Sequence, residues 1–133
     1  MGVIRTGIYS KFIADNGAAL YLDLGGERLY YSEAPEQPTI PYCVFHVFNE
    51  DYQFTFDLKF EEAFVQFDYY GTTANECDDG IADIKTMYDY TTLSLTGFTC
   101  LRMERDYVIG SSKVMPHDIW VGMIRYTLLI KKN

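Results

Sequence analysis

The side chains equipped for proton transfer or metal ligation are two histidines, three cysteines and nineteen carboxylates, and their spacing decides what they can do. His46 lies inside the apolar run Tyr42–Phe48, and His117 stands beside Asp118. A metal centre needs several converging ligands. Neither histidine has a second one three or four residues away, so both read as structural or surface residues. Asp68, His46 and Asp106 make up the acid–base set of an enzymatic reading, which ranks third among the functions weighed here. Asp106, Glu104 and Arg105 alternate beside Arg102, so cross-strand pairing accounts for them. Asp78, Asp79 and Asp83 lie on the helix after Thr73 and read as its solvated face; Asp78 and Asp79 are in the first turns, where negative charge complements the helix dipole. Cys43, Cys77 and Cys100 are odd in number and form no Cys-x-x-Cys pair, which favours free thiols in a reducing compartment. Cys43 and Cys77 read as small core residues without a basic neighbour to activate them. No Gly-x-Ser-x-Gly elbow, phosphate loop or dinucleotide fingerprint occurs, and Gly25-Gly26 is too short to be one. The expectation is a non-enzymatic chain with no catalytic residues, no cofactor and no metal.

The elements that would position these groups follow from periodicity. Ile4, Ile8 and Phe12 recur at helical spacing and predict a helix from Val3 to Asp15, closed by Asn16-Gly17. Ala18–Leu24 fits a helical turn or a short strand. Arg28–Ser32 reads as a short strand. Pro35, Pro38 and Pro41 make 34–41 a loop or extended crossing. Tyr42–Phe48 is a strand, Asn49–Asp51 a turn, and Tyr52–Phe60 an alternating segment that is either a half-buried strand or a projecting hairpin arm. Phe64–Tyr70 leads through Gly71 into a capping box, Thr73 with Glu76, and a helix with Cys77, Ile81, Ile84 and Tyr88 on one face. Phe98–Val108 is a strand, Gly110–Lys113 a flexible loop, and Ile119–Lys131 the last strand. Asn49–Phe60 and Ile109–Asp118 are expected to be less ordered in an isolated chain than in an assembly. The fold class is α+β: a four- to five-stranded, mainly antiparallel sheet with two helices on one face, in a single domain over 1–133.

Composition narrows the function. A chain of 133 residues buries roughly two-thirds of its unfolded surface on folding. Twelve tyrosines and nine phenylalanines exclude a disordered chain and suit surfaces that become half-buried on association. A net charge of −8 disfavours nonspecific DNA or RNA binding, which depends on Lys and Arg. An acidic surface suits instead a passage through which a polyanion slides without sticking. The first residues lack the pattern of a signal peptide, and no apolar run approaches the length of a membrane span.

The chain resembles the small tail-completion (tail-terminator, head–tail joining) proteins of long-tailed bacteriophages. The matching pieces are the first helix, Arg28-Leu29-Tyr30, Ala34-Pro35, Pro41-Tyr42-Cys43-Val44-Phe45, Val65-Gln66-Phe67-Asp68-Tyr69-Tyr70-Gly71, the helix with Ala82 and Ile84, and Ile124-Arg125-Tyr126-Thr127-Leu128. The resemblance implies a virion protein of the tail or neck, assembled in the bacterial host cytoplasm as a homo-oligomeric ring of six. Such a ring caps the tail tube and meets the head connector, with DNA passing through unbound and no membrane involved. Tyr52, Phe54 and Phe56 are the candidate subunit contacts. Asp57, Glu61, Glu62, Asp78 and Asp79 are the candidate channel-facing acids. The alternative is a protein-binding module that adds its 49–60 strand to a partner's sheet.

Overall fold

A computed structural model describes residues 2–55, 58–114 and 118–133, and their side chains except those of 49–55, 58 and 59. The elements are α1 (Gly2–Ala14), α2 (Ala19–Asp23), β1 (Leu29–Tyr31), β2 (Tyr42–Thr55), β3 (Leu58–Gly71), α3 (Ala74–Tyr88), β4 (Ser94–Leu95), β5 (Phe98–Val114) and β6 (Ile119–Lys132). The strands form one six-stranded sheet in the order β1-β2-β3-β6-β5-β4. Among the described residues only β1 and β2 pair in parallel.

The α+β class stands, but the sheet has six strands rather than four or five, and three helices replace two. The surplus elements are short. β4 has two residues and α2 has five, too few for either period to show. Two expected breaks are also absorbed into strands. Asn49–Asp51 is not a turn: β2 runs on to Thr55, with a register shift between Phe48 and Asp51. Gly110–Lys113 is not a loop: Ser112 pairs with Val121 and Lys113 with Trp120, and a register shift follows Ile109. Turn-forming residues inside a long hairpin make bulges when the strands on both sides stay paired. The Tyr52–Phe60 segment is a hairpin arm, split between the end of β2 and the start of β3, where Thr55 pairs with Leu58. Phe56 and Asp57 lie outside the described residues.

The helices cover one face of the sheet. Its inward parity is fully buried: Cys43 and Phe45 on β2, Ala63, Val65, Phe67 and Tyr69 on β3, Ile124, Tyr126, Leu128 and Ile130 on β6. Ile4, Ile8 and Phe12 of α1 and Cys77, Ile81, Ile84 and Tyr88 of α3 close over them. Tyr88 stacks on Phe67 with ring centroids 4.9 Å apart, and its hydroxyl donates to the carbonyl of Ile8 at 2.9 Å, joining the two helices. Gly80 lets α3 approach: a Cβ there would stand 2.3 Å from the Tyr69 ring.

The α3 start behaves nearly as its sequence predicts. The Thr73 hydroxyl accepts from the Glu76 N–H at 3.1 Å. Glu76 reaches back one residue further than a capping box requires, accepting from the Thr72 N–H at 3.0 Å. After α2, Gly25 and Gly26 take φ of 63° and 73°, the left-handed region that glycine occupies without strain.

Candidate functional site

The opposite parity of the same strands builds a second surface that no described helix covers. Three clusters lie on it. Tyr42 stacks on Tyr70 at 4.7 Å, with Tyr30 tilted against Tyr42 at 6.3 Å. His46 Nε2 stands 3.5 Å from Asp68 Oδ2, while Gln66 Nε2 donates to Asp68 Oδ1 at 2.9 Å. Asp68 is buried at 8% exposure, so these two partners stand in for the water it has lost. In the third cluster the Arg125 guanidinium lies over Phe64 at 4.1 Å, Phe48 at 5.3 Å and Tyr107 at 5.8 Å. Its Nε is 3.7 Å from Asp106 Oδ2, and Asp106 also accepts from the Thr127 hydroxyl. Rings and charges interleave here, which is the composition of an association surface.

The acid–base trio is not assembled. His46, Gln66, Arg125 and Tyr107 occupy one row across β2, β3, β6 and β5. Three strand spacings of about 4.8 Å put β5 roughly 14 Å from β2. His46 and Asp68 are together; Asp106 belongs to the Arg125 cluster. Among the described residues no three Cys, His, Asp or Glu side chains gather as a metal centre. The three thiols are buried, and burial pushes each above its ordinary pKa, the reverse of activation.

The candidate acids divide. Glu62 is half-buried, and Asp78 and Asp79 are exposed on α3. The Ser111 hydroxyl lies 2.6 Å from Asp78 Oδ1 and 3.3 Å from the Ala74 carbonyl, tying the first turns of α3 to β5. Glu61 is 3% exposed, on the helix-covered parity with Ala63 and Val65. Of the candidate contacts, Tyr52 pairs with Glu61 and Phe54 with Lys59 through the backbone. Their side chains, like Phe56 and Asp57 altogether, lie outside the described residues, as does His117.

Sequence reasoning missed one charged site. Asp83 of α3 hydrogen-bonds Asp23 at the end of α2, and its carboxyl is pushed up to about 7 by burial, that bond and the charges of Asp23 and Asp79. The two aspartates are sixty residues apart in sequence, and α2 itself was ambiguous. The Arg28 side chain closes the loop beneath, donating to the carbonyls of Asp23 and Pro41, each at 2.8 Å. A groove of about 500 Å³ opens beside it, lined by Asp23, Tyr69, Glu76 and Asp79 among others.

No protein-family model matches this sequence, and no curated protein matches it significantly. Among solved structures it is similar to a chain of one described as the virion of a native gene transfer agent (GTA) particle. The two share 14% identity and a TM-score of 0.76, over 98% of this chain and 96% of the other. At that identity the likeness shows a common fold spanning the whole chain.

Proposed function

We propose that this chain is a virion structural protein of a tailed phage or phage-like particle. It ends the tail tube as a homo-oligomeric ring, six copies round, and joins it to the head connector. One observation carries the reading: a chain of a gene transfer agent virion has the same fold from end to end. The sequence resemblance to tail-completion proteins supplies the place in the particle. The role is non-enzymatic, and DNA passes through without specific contact. Glu62, on the open face, or Asp78 and Asp79, on the helix side, are the acids proposed to face the channel, since one lumen meets one face of the sheet and carboxylates repel phosphate where a basic lining would hold it.

Electron microscopy of particles assembled without this chain tests the reading. Tails of uncontrolled length and filled heads lacking tails are expected. Tails of normal length already joined to heads would sink it. Lysine at Glu62, Asp78 and Asp79 should slow DNA ejection while rings still form.

The second reading, a binding module that adds its 49–60 strand to a partner's sheet, draws on the outer edge of β2, where among the described residues no strand pairs beyond Phe45. Capture of a foreign strand there, with no effect on particle morphology, favours it over the first.

A further inference from the structure

Both lateral edges of the sheet are only partly closed, and they are closed in the same way. β1 pairs with Cys43 to Phe45 at the start of β2, and Ser32 adds a bond to the Phe45 carbonyl. Beyond that, among the described residues, His46 to Thr55 has no strand on its outer side. β4 pairs with Phe98 and Thr99 at the start of β5, and the Tyr90 N–H reaches the Met103 carbonyl. Beyond that, Glu104 to Val114 has no strand on its outer side among the described residues. Each long strand therefore starts covered and finishes open.

An open edge is normally shortened, charged or covered, since its unpaired N–H and C=O groups recruit other strands. The β5 edge is bulged after Arg105 and after Ile109, yet between the two bulges it is apolar and exposed. Tyr107, Val108 and Ile109 stand in sequence at 44%, 38% and 45% exposure, and Val114 follows at 37%. The open stretch as a whole balances Glu104 and Asp106 against Arg105 and Lys113. No like-charge barrier opposes a partner strand.

We infer that copies of this chain associate edge to edge, the Glu104–Val114 edge of β5 in one copy pairing antiparallel with the His46–Thr55 edge of β2 in the next. Three observations choose this occupant. The two open stretches are similar in length. β2 and β5 run in opposite directions within one sheet, so copies related by rotation about a ring axis to which the strands are tilted present them antiparallel. The pairing also closes both open edges, whereas β5 on β5 would leave β2 bare. Pairing of β2 with itself would bring Glu50 and Asp51 of the two copies together. The contact joins unlike surfaces, so it repeats from copy to copy and closes as a ring where the rotation permits. Because the open stretches lie at opposite ends of the sheet, neighbouring copies are displaced along the strand direction. Such a displacement closes when the strands tilt against the ring axis.

This inference rests on the self-association within the proposed function but not on capping or head joining. The test is native mass spectrometry of the purified full chain over a concentration series, paired with hydrogen exchange on the dilute and the associated protein. Oligomers above dimer are expected, with amide protection rising in both 46–55 and 104–114. The double variant Val108→Lys/Ile109→Lys changes two exposed side chains. It should keep the native melting profile and remain monomeric, while Leu22→Lys on α2, exposed at 63%, should associate normally. A strict monomer at the highest concentration, association without protection of both edges, or undiminished association of the double variant would each overturn the inference. A closed dimer protected only along β5 would assign that edge to pairing with itself instead. None of these results bears on tail morphology, so the capping role would stand or fall separately.

Discussion

On its helix-covered face the sheet presents Phe45, Phe67, Tyr69, Ile124 and Tyr126 with almost no exposure, whereas the same strands turn His46, Phe48, Phe64, Gln66 and Arg125 half-buried to the other side. The first face is fixed by packing. Rings meet at 4.9 to 6.0 Å, and two of the three fully buried tyrosines bond through the hydroxyl: Tyr88 donates to Ile8, and Tyr126 to Asp89 at 2.6 Å. The second face is fixed by pairs that keep some water: a cation over rings and a histidine beside a carboxylate. The two sides of one strand thus meet different surroundings, because the side-chain period of two sends alternate residues to opposite faces.

Mutating one ring on each side tests the contrast most severely. Phe67→Ala should cost about 3–5 kcal/mol in urea unfolding, through lost transfer energy and the cavity left between Tyr88 and Tyr126. Phe64→Ala, on the open side, should cost about 1 kcal/mol, in keeping with partial burial. Equal losses would erase the distinction. Next in size is Gly80→Ala. The new methyl group drives into the buried Tyr69 ring, and overpacking of about 1–3 kcal/mol exceeds the helix-propensity gain of up to about 1 kcal/mol. A lower melting temperature is expected; a higher one would show that the ring has room to move.

A smaller effect is expected on the open face. A double-mutant cycle between Arg125→Met and Phe64→Leu should return a coupling of about 0.5–1 kcal/mol, the worth of a partly solvated cation over a ring. Zero coupling would reduce the Arg125 cluster to coincidence of position. The smallest effect belongs to the helix layer, where Asp83 meets Asp23. The folded pKa of Asp83, about 7, lies above its unfolded value, so the protonated form is favoured by folding. That contribution is complete below the unfolded value near 4 and is lost as pH rises through about 7. The melting temperature should therefore fall between about pH 4 and pH 7 and level off above, and Asp83→Asn should flatten that slope. An unchanged slope in the variant would show that solvent screens the pair.

Much of this architecture is legible in the chain. Ile4, Ile8 and Phe12 announce α1, Thr73 and Glu76 mark where α3 begins, and Gly122 to Ile130 alternates as β6 alternates in space. What escaped notice was continuity. Asn49–Asp51 and Gly110–Lys113 have the composition of turns, yet hydrogen bonds on either side carry the strands through them. Composition reports what a segment tolerates, not what its neighbours impose. The candidate contact surface was half visible. The aromatic richness of 49–60 drew attention to one arm, while the exposed Tyr107, Val108 and Ile109 looked like ordinary strand residues. Whether an edge is open depends on which strand comes to lie beside it, and no local pattern records that.

The three register shifts between β5 and β6 have a geometric consequence. Seventeen residues of β5 span the same distance as fourteen of β6. Two ribbons of unequal length, bonded along their whole run, cannot lie flat; like a bimetal strip they must bend toward the shorter partner. The surplus is stored as one residue at each shift, so the bend is distributed along the strand rather than concentrated at a hinge.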